Sequence, residues 1–238
     1  MARIVLEQAD ALVTTARSVG RGDRGRLSIG FYTSISTGNL RATLLEFKAR
    51  FPQVELVTFE RSRARLLASM QNGAIDVLVI AGETPADGVH EAKFLPLWSE
   101  RILAMLLDDH PLAVREAIFW TDLRGDTVLL SNYDLGRELE TLLMSKLVSP
   151  CDRPTIERHD VSRESIKSLI GMRLGIGLVT ESDTGSNFAG LTYRELRDGT
   201  GPSRLEFGAL WRPENENPVL NNFIKLLAER YPFSASSV

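Results

Sequence analysis

Most of what chemistry would require is scarce in this chain. A single cysteine, Cys151, among 238 residues excludes an intrachain disulfide and suits a reducing compartment. The three histidines, His90, His110 and His159, stand far apart with no H-x-x-x-H or Cys/His spacing, so no metal site is expected. Charge of one sign is not in excess either. The 28 basic and 31 acidic side chains leave a net charge of −3, without the basic surplus that duplex DNA or an anionic membrane selects. No apolar run approaches the length of a bilayer span, and Glu7 and Asp10 interrupt the one stretch that could serve as an export signal. A cytoplasmic protein with no membrane partner is the expectation.

Catalytic motifs are missing too. There is no G-x-S-x-G nucleophile elbow. The stretch "GMRLGIGLV" at 171–179 has three glycines, but a phosphate loop needs the order strand, glycines, helix, because the anion sits on a helix N-terminus. Here a helical pattern (Ile166, Leu169, Ile170) comes first and a strand-like one follows. The glycines are read instead as a joint that allows left-handed φ and a close approach of helix to sheet. Cys151 has no resolving cysteine and is expected to be inert. Asp76, at the mouth of a strand, is expected to cap neighbouring amides. Neither a catalytic centre nor a cofactor is expected.

What is present is hydrophobic pattern. With 43% apolar residues the chain can bury one large core or two small ones. Val5, Ala9, Leu12, Ala16 and Val19 recur at helical steps, which fits a helix that pairs with another helix or one that lies on its own domain. "GRGDRGR" at 20–26 breaks that pattern as a hinge would. Strand "RLSIGFY", helix "NLRATLLEFKARF", strand "QVELVTFE", helix "SRARLLASMQNG" and strand "AIDVLVIAG" then follow in βαβαβ order, as in a parallel sheet with helical crossovers. Thr33, Ser34, Ser36 and Gly38 offer caps for the first of these helices. That helix carries two apolar stripes: Leu40, Leu44, Phe47 and Phe51, and beside it Ala42, Leu45 and Ala49. Two stripes predict two covered faces, the second meeting another subunit or sunk in the chain's own core.

A strand through "WSERILAMLLDDHPLA" leads to a second set: strand "DTVLLS", helix "LGRELETLLMSKLV", strand "TIERHDV", helix "RESIKSLIGMR" and strand "GIGLVTE". "RLEFGALWRP" reads as a returning strand, and Asn217-Pro218 as N-cap and first residue of a last helix. The fold class is α/β, and two such units in tandem predict two lobes.

Four segments in this order resemble the effector-binding domain of LysR-type transcriptional regulators. They are "LSIGFYTSISTGNLRATLLEFKARFPQVEL", "LLASMQNGAIDVLVIAG", "LPLWSERILAMLLDDHPLA" and "SLIGMRLGIGLVTES". The resemblance covers roughly residues 26–230. It implies two Rossmann-like lobes joined by two crossing strands, a periplasmic-binding-protein type II-like fold with an N-terminal linker helix. Residues 1–25 would be linker helix and hinge, 26–98 plus 206–238 lobe I, and 99–205 lobe II. It also implies a homodimer or tetramer, subunits paired antiparallel, and DNA contact only through a winged helix-turn-helix that this sequence does not include. One departure is Thr180, where many members have proline, which implies a different local pocket wall.

The resemblance places a small-molecule effector between the lobes, where free amides and positive helix ends suit an anion. On this sequence the contacts would be Thr33, Ser34 and Ser36 from lobe I, and Ser131, Asn132, Ser162, Arg163 and Ser165 from lobe II. Ser34 and Ser162 have plain N-caps as their alternative reading. Arg63, Arg101, Arg137 and Arg163 are candidates for a charge partner, with solvated or lobe-bridging roles as the alternative. Two rivals share the two-lobe plan: a solute receptor of the periplasmic type, which needs an export signal, and an enzyme, which needs a convergent acid, base or nucleophile.

Overall fold

The computed structural model describes residues 18–82, 92–185, 188–199 and 201–232. The apolar stripe from Val5 to Ala16 and His90 lie outside the described residues; residues 18–20 are helical.

The first βαβαβ run is as the pattern predicts. Strands β1 (Gly25–Phe31), β2 (Val54–Glu60) and β3 (Val77–Ala81) pair in parallel, with β1 in the middle, and helices α1 (Gly38–Arg50) and α2 (Arg63–Gln71) connect them. All five residues of β3 are buried, as an unbroken apolar strand covered on both faces should be. On α1, Leu40 and Phe47 are buried and Leu44 and Phe51 pack against the same core. The Phe47 ring meets Phe223 edge-on at 5.1 Å. The other stripe is not sunk in the chain's own core: Leu45 is 61% exposed.

The second set is β6 (Thr127–Ser131), α3 (Gly136–Lys146), β7 (Thr155–His159), α4 (Arg163–Gly171) and β8 (Ile176–Thr180), with β6 parallel to both β7 and β8. What ties the sets together is β4 (Lys93–Leu107), a single strand of 15 residues. Its first part, to Arg101, pairs with β11 (Arg204–Trp211); from Ile102 it pairs with β8 and with β9 (Leu191–Asp198). The chain returns through the short strand β10 (Gly201–Pro202), with Ser203 accepting from the Ile102 amide at 2.9 Å and from the Trp120 indole at 2.8 Å. A three-residue strand, β5 (Ala117–Phe119), lies parallel to β9. Helix α5 (Pro218–Arg230) closes the first set, and the Asn217 side chain caps it through the Val219 amide at 3.0 Å, as Asn-Pro predicts.

The glycine-rich joint needs one correction. Gly171, Gly175 and Gly177 do not take left-handed φ; Arg173 between them does, at 64°. Close approach holds at Gly175, where a Cβ would lie 2.3 Å from the Thr127 carbonyl oxygen, but Gly171 has nothing within 4 Å. Asp76 does cap, accepting from the Ser28 amide at 2.8 Å and from Asn215 at 3.0 Å.

Candidate functional site

The carboxyl ends of β1, β6 and β8 face one another across the place where β4 changes partners. The loop after β1 carries Thr33, Ser34 and Ser36, and here the structure corrects the capping expectation: Thr37 is the N-cap of α1, and no side chain caps it. The three hydroxyls reach across to the other half of the sheet instead. Ser36 Oγ donates to the Ser182 carbonyl at 2.7 Å and bonds Ser34 Oγ at 2.9 Å, while Thr33 Oγ1 lies 3.4 Å from Ser182 Oγ. Thr180 adds a buried hydroxyl 3.0 Å from Ser182 Oγ. Beneath them Glu100 of β4, 1% exposed, accepts from the Trp98 indole at 3.0 Å and the Ser182 amide at 3.3 Å. A buried carboxylate so satisfied holds the joint between the two halves.

Arg163, the first residue of α4, is the hub. Its guanidinium donates to the Tyr32 carbonyl at 3.1 Å and lies 3.3 Å from Asp134 and 3.6 Å from Asp183, with Glu60 at 3.8 Å. Both aspartates have side chains mostly out of solvent, and burial raises the pKa of each. Arg163 opposes the rise at both sites, and Asp134 is left at about 6. Lys167, one turn along α4 and fully buried, approaches Asp183 at 3.7 Å and Glu164 at 3.0 Å. Among the described residues, Asp183 Oδ2 and the Tyr193 hydroxyl make no well-formed hydrogen bond, and the Ser34 hydroxyl beside Asp183 opposes the rise in its pKa. Tyr193 is pushed up to about 12 by burial and then by Asp183 and Glu164.

These groups surround a cavity of about 20 Å³, room for roughly one water. Its polar wall is Ser34, Ser131, Asp134, Arg163, Thr180 and Asp183; the apolar wall includes Met105, Leu139 and Ile166. A second bridge joins the halves at a neighbouring depression lined by Arg63 and Glu138. Glu138 of α3 accepts from the Tyr32 hydroxyl at 3.1 Å, and Arg63 donates to that same hydroxyl at 3.0 Å and lies 3.4 Å from Glu138. Burial, then Glu138, raises the Tyr32 pKa. A third bridge, Arg101 to Glu181 at 2.8 Å and Glu195 at 3.0 Å, lies on the exposed side of β4.

Of the eight residues expected at the site, Ser34, Ser131 and Arg163 line the cavity, and Thr33 and Ser36 stand directly behind it. Ser131 Oγ is already engaged, donating to the Val161 carbonyl at 2.7 Å and accepting from the Tyr133 amide at 3.0 Å. Ser162 caps α4 through the Ser165 amide at 3.3 Å, so this pair orients Arg163 without lining the cavity. Asn132 is exposed and lines a separate surface depression with Arg137 and Arg158. Sequence reasoning missed Asp134, Lys167, Thr180 as a hydroxyl donor, Asp183 and Glu100. The available signal was weak: polar residues directly after "LLS" and "GLVT" at the ends of two buried strands.

Asp134 gives the site a pH dependence. Its folded pKa is above the unfolded value, so the folded state binds the proton more tightly and this group's contribution to stability falls as pH rises from about 4 through about 6. Asp134→Asn removes that loss. The stability of the variant relative to wild type is expected to shift in the variant's favour by roughly 2–3 kcal/mol between pH 4 and pH 8. Thermal melts across that range check it; a difference that does not change with pH would count against a buried, costly carboxylate.

Among the described residues no cluster of three His, Cys, Asp or Glu side chains is placed to hold a metal ion, and no helix is long and apolar enough to cross a membrane. In comparison with known proteins, the LysR substrate binding domain family matches residues 20–232. The HTH-type transcriptional regulator AlsR of Bacillus subtilis (strain 168) is 24% identical over 94% of this chain and 72% of its own length. Among solved structures, full-length CbnR complexed with its target DNA superposes with a TM-score of 0.80 at 15% identity, covering 96% of this chain and 76% of that one. The BenM effector binding domain with its effector benzoate gives 0.69 at 17% identity, covering 86% of this chain and 91% of that one. The shared architecture is the type II periplasmic-binding-protein-like fold.

Proposed function

The chain belongs to the LysR substrate binding domain family, whose members are transcriptional regulators rather than enzymes, and from that premise we propose that it senses a small effector bound between two hinged lobes. The lobes are residues 26–98 with 206–238 and residues 99–205, hinged where β4 and the segment at Ser203 cross. The observation that carries this reading is the set of polar bridges spanning the crossing: Ser36 to Ser182, Arg163 to Tyr32, and Arg63 and Tyr32 to Glu138. Each joins one half of the sheet to the other; Arg163 lines the cavity, Ser36 stands behind it, and Arg63 and Glu138 line a neighbouring depression.

The cavity holds roughly one water, so the bridges define a closed arrangement. Effector entry must part the halves and replace some of these bonds. Ser34, Ser131 and Arg163 are the direct contacts, Thr33 and Ser36 support the first, and Ser162 and Ser165 hold the start of α4; Asn132 guards the outer rim. A ligand shifts the balance between closed and parted lobes only by its differential affinity, typically about 1–3 kcal/mol. The stripe of half-buried Ala42 and exposed Leu45 and Ala49 supports antiparallel pairing with helix 136–147 of a second copy, in a cytoplasmic dimer or tetramer. DNA contact would come through a winged helix-turn-helix ahead of the linker helix.

Three measurements test this. Thermal shift against carboxylates, amino acids and nucleotides should yield a ligand that, at a hundred times its Kd, stabilises the chain by about 2.7 kcal/mol. Small-angle scattering should show the radius of gyration changing on its addition; an unchanged radius would count against hinged lobes. Sedimentation at micromolar concentration is expected to give a dimer or larger, and a monomer alone would rule out the α1 contact.

A further inference from the structure

The charges that meet inside the cleft say more about the effector than its location does. Arg163 and Lys167 bring two positive charges and Asp134 and Asp183 two negative ones, so the buried set is balanced before anything binds, and the exposed Glu164 and Glu60 add further negative charge at its edge. A simple carboxylate arriving there would leave an unmatched negative charge in a site shielded from water, which is costly. The hydrogen-bond inventory is lopsided as well. Asp183 is 2% exposed and lines the cavity, yet among the described residues its Oδ2 makes no well-formed hydrogen bond; the Ser34 hydroxyl stands close enough to the carboxylate to lower its pKa, and the nearest cation, Arg163 Nε, is 3.6 Å away. Arg163 likewise stands 3.3 Å from Asp134, longer than the roughly 2.7–2.9 Å of a full charge-assisted bond. The site therefore offers a buried carboxylate oxygen with no charged donor at hydrogen-bond distance and a guanidinium loosely shared between two carboxylates.

A ligand with both charges completes that set. We propose that the effector is a zwitterion of the amino-acid class, its ammonium donating to Asp183 Oδ2 and its carboxylate taking Arg163. The balance of charge is then kept, the buried oxygen gains a charged donor, and Arg163 exchanges loose contacts for a close one. The hydroxyls of Ser34 and Thr180, which line the same cavity, are at hand to position the two ends. This rests on the cleft being the effector site and narrows what it takes.

The test is calorimetric titration of the chain with sets of compounds that differ in one group: propionate, lactate and alanine; succinate, malate and aspartate; glutarate and glutamate. The ammonium-bearing member of the set that binds should do so at least ~tenfold more tightly than its parent carboxylate, the size expected for a hydrogen bond to a buried charge. Asp183→Asn should abolish most of that gap. Should that variant not fold, the comparison within the wild-type protein still decides. A parent carboxylate that binds as tightly as its amino counterpart overturns the inference and assigns Asp183 Oδ2 to a bound water, while the cleft reading stands provided Ser131→Ala and Ser34→Ala weaken binding. Binding indifferent to Asp183→Asn, Ser34→Ala and Ser131→Ala alike would overturn the cleft reading itself.

Discussion

Replacing Lys167 by alanine is expected to destabilise the protein by about 3–5 kcal/mol, the usual cost of removing one partner from a buried ion pair. For a chain of this size that is a fall in Tm of very roughly 6–20 °C. Lys167 is fully buried on α4 and faces Asp183, itself 2% exposed, at 3.7 Å. Taking the ammonium away leaves the Asp183 carboxylate with Arg163 alone, at 3.6 Å and shared with Asp134, in a place where burial already raises its pKa. The same argument predicts rescue. The double variant Lys167→Met/Asp183→Leu removes both charges and fills the space with apolar atoms, and it should recover most of the loss. Thermal or urea melts of the three proteins measure it. A single variant as stable as wild type would mean that water reaches these groups and that the pair contributes little.

Arg163→Ala should have the larger effect on function. The side chain is 15% exposed and joins Tyr32 and Glu60 in one half of the sheet to Asp134 and Asp183 in the other. Its loss frees two buried carboxylates from their shared cation and deletes the group proposed to hold the effector carboxylate. Truncating one member of such a pair costs about 2–5 kcal/mol, or roughly 30-fold to several thousand-fold in affinity. Arg163→Lys keeps the charge but cannot offer a planar fork to several acceptors at once, so intermediate affinity is expected. Titration of both variants with the compound that binds wild type is the check. Unchanged affinity in Arg163→Ala would place the effector outside this cavity.

The frame of the molecule was legible where burial is periodic. "VLVIA" reads as a strand covered on both sides because every residue that could face out is apolar, and β3 is buried throughout. Asn217-Pro218 announces α5 because a capping side chain and a residue with no amide to lose suit a helix start. Strand β9 escaped notice for the opposite reason. "LTYRELRD" is mostly polar, and only Leu191 and Leu196 are buried; pairing with β4 and β5 holds it in place rather than its own pattern. Thr33, Ser34 and Ser36 were placed near the site by their position after β1, but their task changed from capping a helix to bridging the two halves.

Apart from Arg163, the charged centre of the site could not be read from the chain. Lys167 lies between Ile166 and Ser168 in an amphipathic helix, where a lysine ordinarily faces water, and Asp134 and Asp183 each look like loop residues beyond a strand end. Periodicity and caps follow from interactions a few residues long, so they settle the order of strands and helices, the burial of their apolar faces and hence the fold. Which charges lose their water depends on what packs over them from distant parts of the chain, and the worth of an ion pair depends on that lost water. Packing α4 against the ends of β6 and β8 is what turned four ordinary surface-type residues into a buried, balanced cluster, and only the folded arrangement could decide that.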